Sequence, residues 1–135
     1  MKVRLYEPSD YEMVMGWLSA HWEGVQLPPE ALPTLGWVAE DEKGPVAAGF
    51  FYTTDSILAF LEWTTTRPKA GLSGIMGLKA VVRAAQEHAS LMGLQIMQFI
   101  VNEKLVSFYE NKLGFRKTER ATLMVWRDSW PSEQG

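Results

Sequence analysis

Polar and apolar residues alternate over residues 2–6, which predicts a short opening strand. Ser9 and Asp10 then offer caps for a helix with Glu12 in its first turn, and Met13, Trp17 and Leu18 form an apolar stripe at helical spacing. Pro28, Pro29 and Pro33 break that pattern and leave room only for a short helix around residues 30–32. Residues 35–39 are apolar and read as strand. The turn at 41–44 leads into a second strand at 45–53, and Asp55-Ser56 leads into a third at 57–65. Strands this close in sequence pair with their neighbours, so the middle of the chain reads as an antiparallel meander.

After Arg67-Pro68 the period changes. Ile75, Leu78, Val82, Ala85 and Ala89 keep helical spacing, with Lys79, Arg83, Gln86, Glu87 and Ser90 on the other side; this predicts a long helix over residues 75–92, stopped by Gly93. Residues 94–101 are a nearly continuous apolar run, as in a strand covered on both faces. Asn102 caps a further helix over 103–113, which Gly114 ends. Alternation returns over 116–127, a final strand or hairpin whose stretch 121–127 is able to pair with a second protomer, and 128–135 is a loose tail. Helices separate only some of the strands. The expected fold is therefore α+β: one domain over residues 1–127, a twisted, mixed, mostly antiparallel sheet of about six or seven strands flanked by about four helices.

Composition narrows the chemistry. The 135 residues include no cysteine, which excludes disulfides, thiolate metal sites and a cysteine nucleophile, and only two histidines, His21 and His88. The net charge is -3, with no basic excess to neutralise a nucleic-acid backbone. A phosphorylated small molecule stays compatible, because backbone amides bind phosphate without net charge. The opening residues carry no apolar signal region and no apolar run reaches membrane length, so a cytoplasmic protein is expected, without metal and as a monomer or homodimer.

Two segments are candidates for function. The first, residues 67–77, holds Gly71, Gly74 and Gly77 between a strand and the start of the long helix. Its amides and the helix end either receive a pyrophosphate or make a turn whose glycines ease packing. It fits neither a Walker loop nor a dinucleotide fingerprint. The second, residues 102–115, reads Asn102, Leu105, Phe108, Tyr109, Glu110, Lys112, Leu113, Gly114 and Phe115, with Asn111 inserted before Lys112. In that register it resembles the fourth-helix signature of the GNAT acyltransferases, and the order of strands and helices follows the same family over residues 1–127. In the glycine loop Gly74 matches the family pattern, whereas Gly71 stands where Gln or Arg is usual and Met76 where a small residue is usual.

The resemblance implies an N-acetyltransferase that moves an acetyl group from acetyl-CoA to a primary amine of a small molecule or protein. It implies donor contacts at Thr64, Thr65, Gly71, Leu72, Ser73, Gly74, Ile75, Met76, Gly77, Asn102 and Phe108, and makes Tyr109 the acid that protonates the leaving thiolate. Glu62 lies among Phe60, Leu61 and Trp63; in an apolar setting it is a candidate base, and otherwise a solvent-facing strand carboxylate. Asn102 both caps its helix and reaches the donor's pantetheine arm, and Lys69 and Lys104 are candidates for its phosphates. His21, Trp22 and Trp37 are candidate walls of an acceptor site, and His88 reads as a helix-surface residue. The alternatives are an inactive GNAT-like binding or regulatory domain, or an acyltransferase using another acyl-CoA.

Overall fold

A computed structural model describes residues 1–22, 26–118 and 128. The chain forms two compact units, Met1–Phe99 and Ile100–Gly135.

The first unit is built on a five-stranded sheet in the order β1 (Lys2–Leu5), β2 (Gly36–Asp41), β3 (Gly44–Thr53), β4 (Leu58–Thr66) and β5 (Ile96–Phe99). Strands β2, β3 and β4 are antiparallel neighbours, as the short turns between them require; β1 pairs antiparallel with β2 across the long connection that holds α1, and β5 joins β4 in parallel after a helical crossover. Alternation along β3 and β4 divides the core into two layers. Helix α1 (Tyr11–His21) buries Val14, Met15, Trp17 and Leu18 against Val38, Ala48 and Phe50. Helix α2 (Leu72–Leu91) covers the other face with Leu78, Val81, Val82, Ala85 and Ala89.

Close approach of α2 depends on Gly77. A Cβ there would stand 2.7 Å from the Val46 side chain and 2.9 Å from Ala47. Gly77 therefore serves helix–sheet packing.

Several sequence expectations change. Asp10 occupies the cap position of α1 but makes no side-chain cap bond. Its carboxylate instead takes two 2.8 Å bonds from Arg4 and one of 2.9 Å from the Glu7 amide, tying the start of α1 to β1. Strand β5 covers only residues 96–99 and alternates between exposed and half-buried rather than being buried on both faces; among the described residues it pairs only with β4. Helix α2 begins at Leu72, a turn earlier than its apolar period, with Gly71 as its cap. His88 is not a surface residue. It lies one turn past Val81 and Ala85 on the same stripe, and its ring packs edge-on against Phe51 at 5.3 Å and Trp37 at 5.9 Å.

The second unit opens with a 3₁₀ turn, Glu103–Leu105, followed by α3 (Val106–Leu113). The Asn102 side chain accepts from the Lys104 amide at 2.9 Å, and Gly114 closes the helix at φ 75°. The described residues thus hold five strands and three α-helices, fewer than expected. The final strand or hairpin read at 116–127, with its pairing edge at 121–127, lies largely outside the described residues, as does most of the tail; 116–118 carry no strand.

The Arg4–Asp10 pair sets a pH dependence. The hydrogen bonds from Arg4 hold the Asp10 carboxyl below its ordinary 3.8, so the folded chain binds that proton less tightly than the unfolded one. Its contribution is present above 3.8 and is lost as pH falls through the lowered value. We expect Asp10→Asn to cost about 1–2 kcal/mol at neutral pH and to flatten the acid loss of stability, read by urea unfolding across the acid range.

Candidate functional site

The pairing of β4 with β5 runs from Leu58↔Ile96 to Leu61↔Phe99 and stops there. Strand β4 continues to Thr66, still paired with β3 on its other side. Within the first unit, the β4 edge beyond Leu61 has no strand partner and leads straight to the glycine segment.

The same stretch carries a bulge. Ala48 pairs with Thr65 but Phe50 pairs with Glu62, so β4 fits one extra residue opposite β3. The distortion falls at Trp63, whose φ is 56°. A bulky residue at positive φ costs about 1–3 kcal/mol, so its surroundings must hold it there. Trp63 packs on the α1 layer and its indole N–H donates to the Tyr52 hydroxyl at 3.1 Å. Tyr52 in turn donates to the Ala31 carbonyl at 2.8 Å. The Trp22 indole, at the end of α1, meets Trp63 edge-on at 6.1 Å.

Glu62 sits opposite Phe50, a residue of the α1 layer, at the start of this bulge. It is half-buried, and loss of water pushes its carboxyl above the ordinary 4.5. Its charge also reaches Tyr52, whose phenol is raised chiefly by burial and further by Glu62.

Thr65, paired with Ala48, is 5% exposed, and its Oγ1 has no hydrogen-bond partner among the described residues. Thr64 leans toward Val81: both would meet a Cβ at Gly49, at 3.1 and 3.0 Å. Thr66 supports the loop; a Cβ on Gly74 would stand 3.2 Å from it and from Ala70. The His21 Nε2–H donates to the Thr66 carbonyl at 2.9 Å and so fastens the end of α1 to the end of β4.

The chain then turns at Pro68 and Lys69, the latter at φ 62°, and Gly71 caps α2 at φ 60°, ψ -130°, a conformation that strongly favours glycine. The first amides of α2 have no helix carbonyl to bond, and they head a 20-residue dipole. Leu72 and Met76 are exposed, Ile75 is half-buried, and Ser73 turns toward Asp41.

In the second unit, Tyr109 is buried at 3% exposure and lies edge-on to Phe108 at 5.4 Å and Phe115 at 6.0 Å. Burial pushes its phenol up to about 12. Lys104 is exposed, and Asn102 is engaged as the helix cap.

The first unit therefore brings together Glu62, Thr64, Thr65 and the segment from Gly71 to Met76 along one strand, its turn and one helix start. Asn102, Phe108 and Tyr109 belong to the second. Trp37 leaves the acceptor candidates: it is buried on the α2 face against Phe51 at 5.8 Å. Trp63 and Tyr52 were not singled out from the sequence. Trp63 entered only as an apolar neighbour of Glu62; Tyr52, on the neighbouring strand, did not enter at all, and the bulge that joins them leaves no mark in the pattern.

No protein-family model matches the sequence, and no curated protein matches it. Solved structures do match. An acetyltransferase from Trypanosoma brucei superposes with a TM-score of 0.69 at 20% identity, covering 93% of this chain and 99% of that one. Glucosamine-6-phosphate N-acetyltransferase from Arabidopsis thaliana gives 0.70 at 17%, covering 93% and 98%. Rv2747 from Mycobacterium tuberculosis, solved in complex with CoA and NLQ, gives 0.72 at 19%, covering 92% and 76%.

Proposed function

The fold is that of the GNAT acetyltransferases. On that premise we propose that the protein transfers an acetyl group from acetyl-CoA to a primary amine. The observation that carries this reading is the β4 edge, which among the described residues pairs with no strand beyond Leu61 and runs through a bulge into the glycine cap of α2. A pantetheine amide chain suits the unpaired edge, and a pyrophosphate suits the first amides of α2. Gly71 keeps its turn free of a side chain, and the buried Thr65 hydroxyl has hydrogen-bonding capacity to offer. The CoA found with the Mycobacterium tuberculosis relative supports the same donor here.

In this reading one proton of the acceptor's ammonium passes to Glu62 and on to solvent. The free amine attacks the thioester carbonyl carbon; the C–N bond forms, the C–S bond breaks, the nitrogen sheds its second proton and one proton ends on sulfur. Burial suits Glu62 to the first step by raising its carboxyl toward working pH. Tyr109 is the hydroxyl the resemblance offers to the leaving sulfur. At about 12 it holds its proton throughout the working range. As the acid in this reading, it keeps a proton to offer the leaving sulfur.

Two measurements test this. Acetyl-CoA at about 100 times its dissociation constant should stabilise the protein by about 2.7 kcal/mol; no shift in thermal unfolding at millimolar donor would overturn donor binding and leave a GNAT-like domain without a donor. Tyr109→Phe should lower turnover by about 10- to 100-fold with acetyl-CoA affinity nearly unchanged, read by thiol release and by calorimetry. Unchanged turnover removes Tyr109 from the mechanism.

A further inference from the structure

Resting on the transferase reading above, we infer that the acceptor is an amine with an apolar, ring-bearing body that lies on the indoles of Trp22 and Trp63 and presents its ammonium to Glu62. Trp22 is 42% exposed, a large apolar surface left in water at the end of α1 and in contact with Trp63. Trp63 is the residue next to Glu62, and the bulge holds it at positive φ on the same α1 layer that Glu62 faces. Strain of that kind persists where the surroundings fix a side chain in place. Here the Tyr52 hydroxyl fixes the indole through its N–H.

The polar atoms around Trp63 are spent on the protein. The Trp63 N–H goes to Tyr52, the only proton of Tyr52 goes to the Ala31 carbonyl, and the hydroxyl proton of Tyr11 goes to the Leu27 carbonyl. A hydroxyl-rich acceptor laid on Trp22 and Trp63 would give up water for few new hydrogen bonds. A flat apolar body loses nothing and gains ring contact. Glu62, next to Trp63 in sequence, supplies a negative charge at one end of the wall, and the indoles supply apolar carbon at the other, which suits a cation with an apolar body. An indole face also attracts an ammonium. The burial that raises the Glu62 carboxyl supports this placement, because the same dry surroundings strengthen its attraction for an ammonium.

The test compares 2-phenylethylamine with ethanolamine, which share an ammonium on two carbons and differ in the body. With acetyl-CoA, kcat/KM should favour 2-phenylethylamine by about 10- to 100-fold. Trp22→Ala should lower that value about tenfold, chiefly through KM, while the ethanolamine value stays within about twofold and Trp22→Phe restores most of the loss. Binding of 2-phenylethylamine without donor, followed by calorimetry, should weaken in Trp22→Ala to a similar extent. A preference for ethanolamine, equal losses on both amines, or 2-phenylethylamine binding that is absent or indifferent to Trp22 would each overturn the inference. Trp22-dependent binding with no thiol release from any amine would instead overturn the transferase reading and leave the aromatic wall standing.

Discussion

Glu62→Gln is expected to lower acetyl transfer at neutral pH by about 100- to 10,000-fold, the range for loss of a positioned general base. The substitution keeps the size and hydrogen-bonding reach of the side chain and removes only its basicity. Opposite Phe50 and beside Trp63, the carboxylate is poorly hydrated, which raises its affinity for a proton. The wild-type rate should therefore climb with pH on an acid limb displaced upward from 4.5, and the glutamine variant should lack that limb. Stability moves the other way. A carboxyl raised in the folded state binds its proton more tightly there than in the unfolded chain, so its favourable contribution lies below 4.5 and is lost as pH rises through the raised value. Glu62→Gln should remove that loss, leaving the variant at neutral pH as stable as wild type or slightly more. Thiol-release rates and urea unfolding across pH separate the two effects. A variant that keeps its rate and its acid limb would remove Glu62 as the base.

The meander was legible because short apolar and β-branched runs are separated by turns carrying Gly, Asp or Ser; β2, β3 and β4 fall within a residue or two of their sequence bounds. Helix α2 was legible from its apolar stripe, although its start was not, since Gly71 acts through backbone conformation. What periodicity cannot carry is the bulge. An extra residue at Trp63 turns Glu62 and Trp63 toward the α1 layer together, and strict alternation would have parted them. That single irregularity gathers the acceptor wall and explains why Tyr52 and Trp63 went unread. The apolar run at 94–101 misled in the opposite sense: apolar residues with period one signal burial on both faces, but β5 alternates between exposed and half-buried, with Ile96 half exposed. His88 shows that a polar ring at a core-facing helical position packs like an aromatic when Trp37 and Phe51 stand opposite.

The floor beneath Glu62 gives the largest expected effect on stability. Phe50 is fully buried, packs edge-on with Tyr6 at 4.8 Å, and shares the α1 layer with Val14, Leu18 and Val38. Gly36 lies so close that a Cβ there would stand 2.8 Å from the Phe50 ring, so β2 is shaped to that ring and β3 is held close to it. Phe50→Ala should cost about 3–5 kcal/mol, the transfer free energy of the ring plus the cavity it leaves, because strands on both sides of β3 limit collapse. Phe50→Leu, which keeps most of the volume, should cost no more than about 1.5 kcal/mol. The alanine variant should also alter chemistry. Water entering beneath Glu62 would return its carboxyl toward 4.5 and move the acid limb of the rate profile down with it. Urea unfolding reads the first effect and the pH–rate profile the second. A loss below about 1 kcal/mol would mean that the α1 layer closes over the gap, and the acid limb should then stay where it is in the wild type.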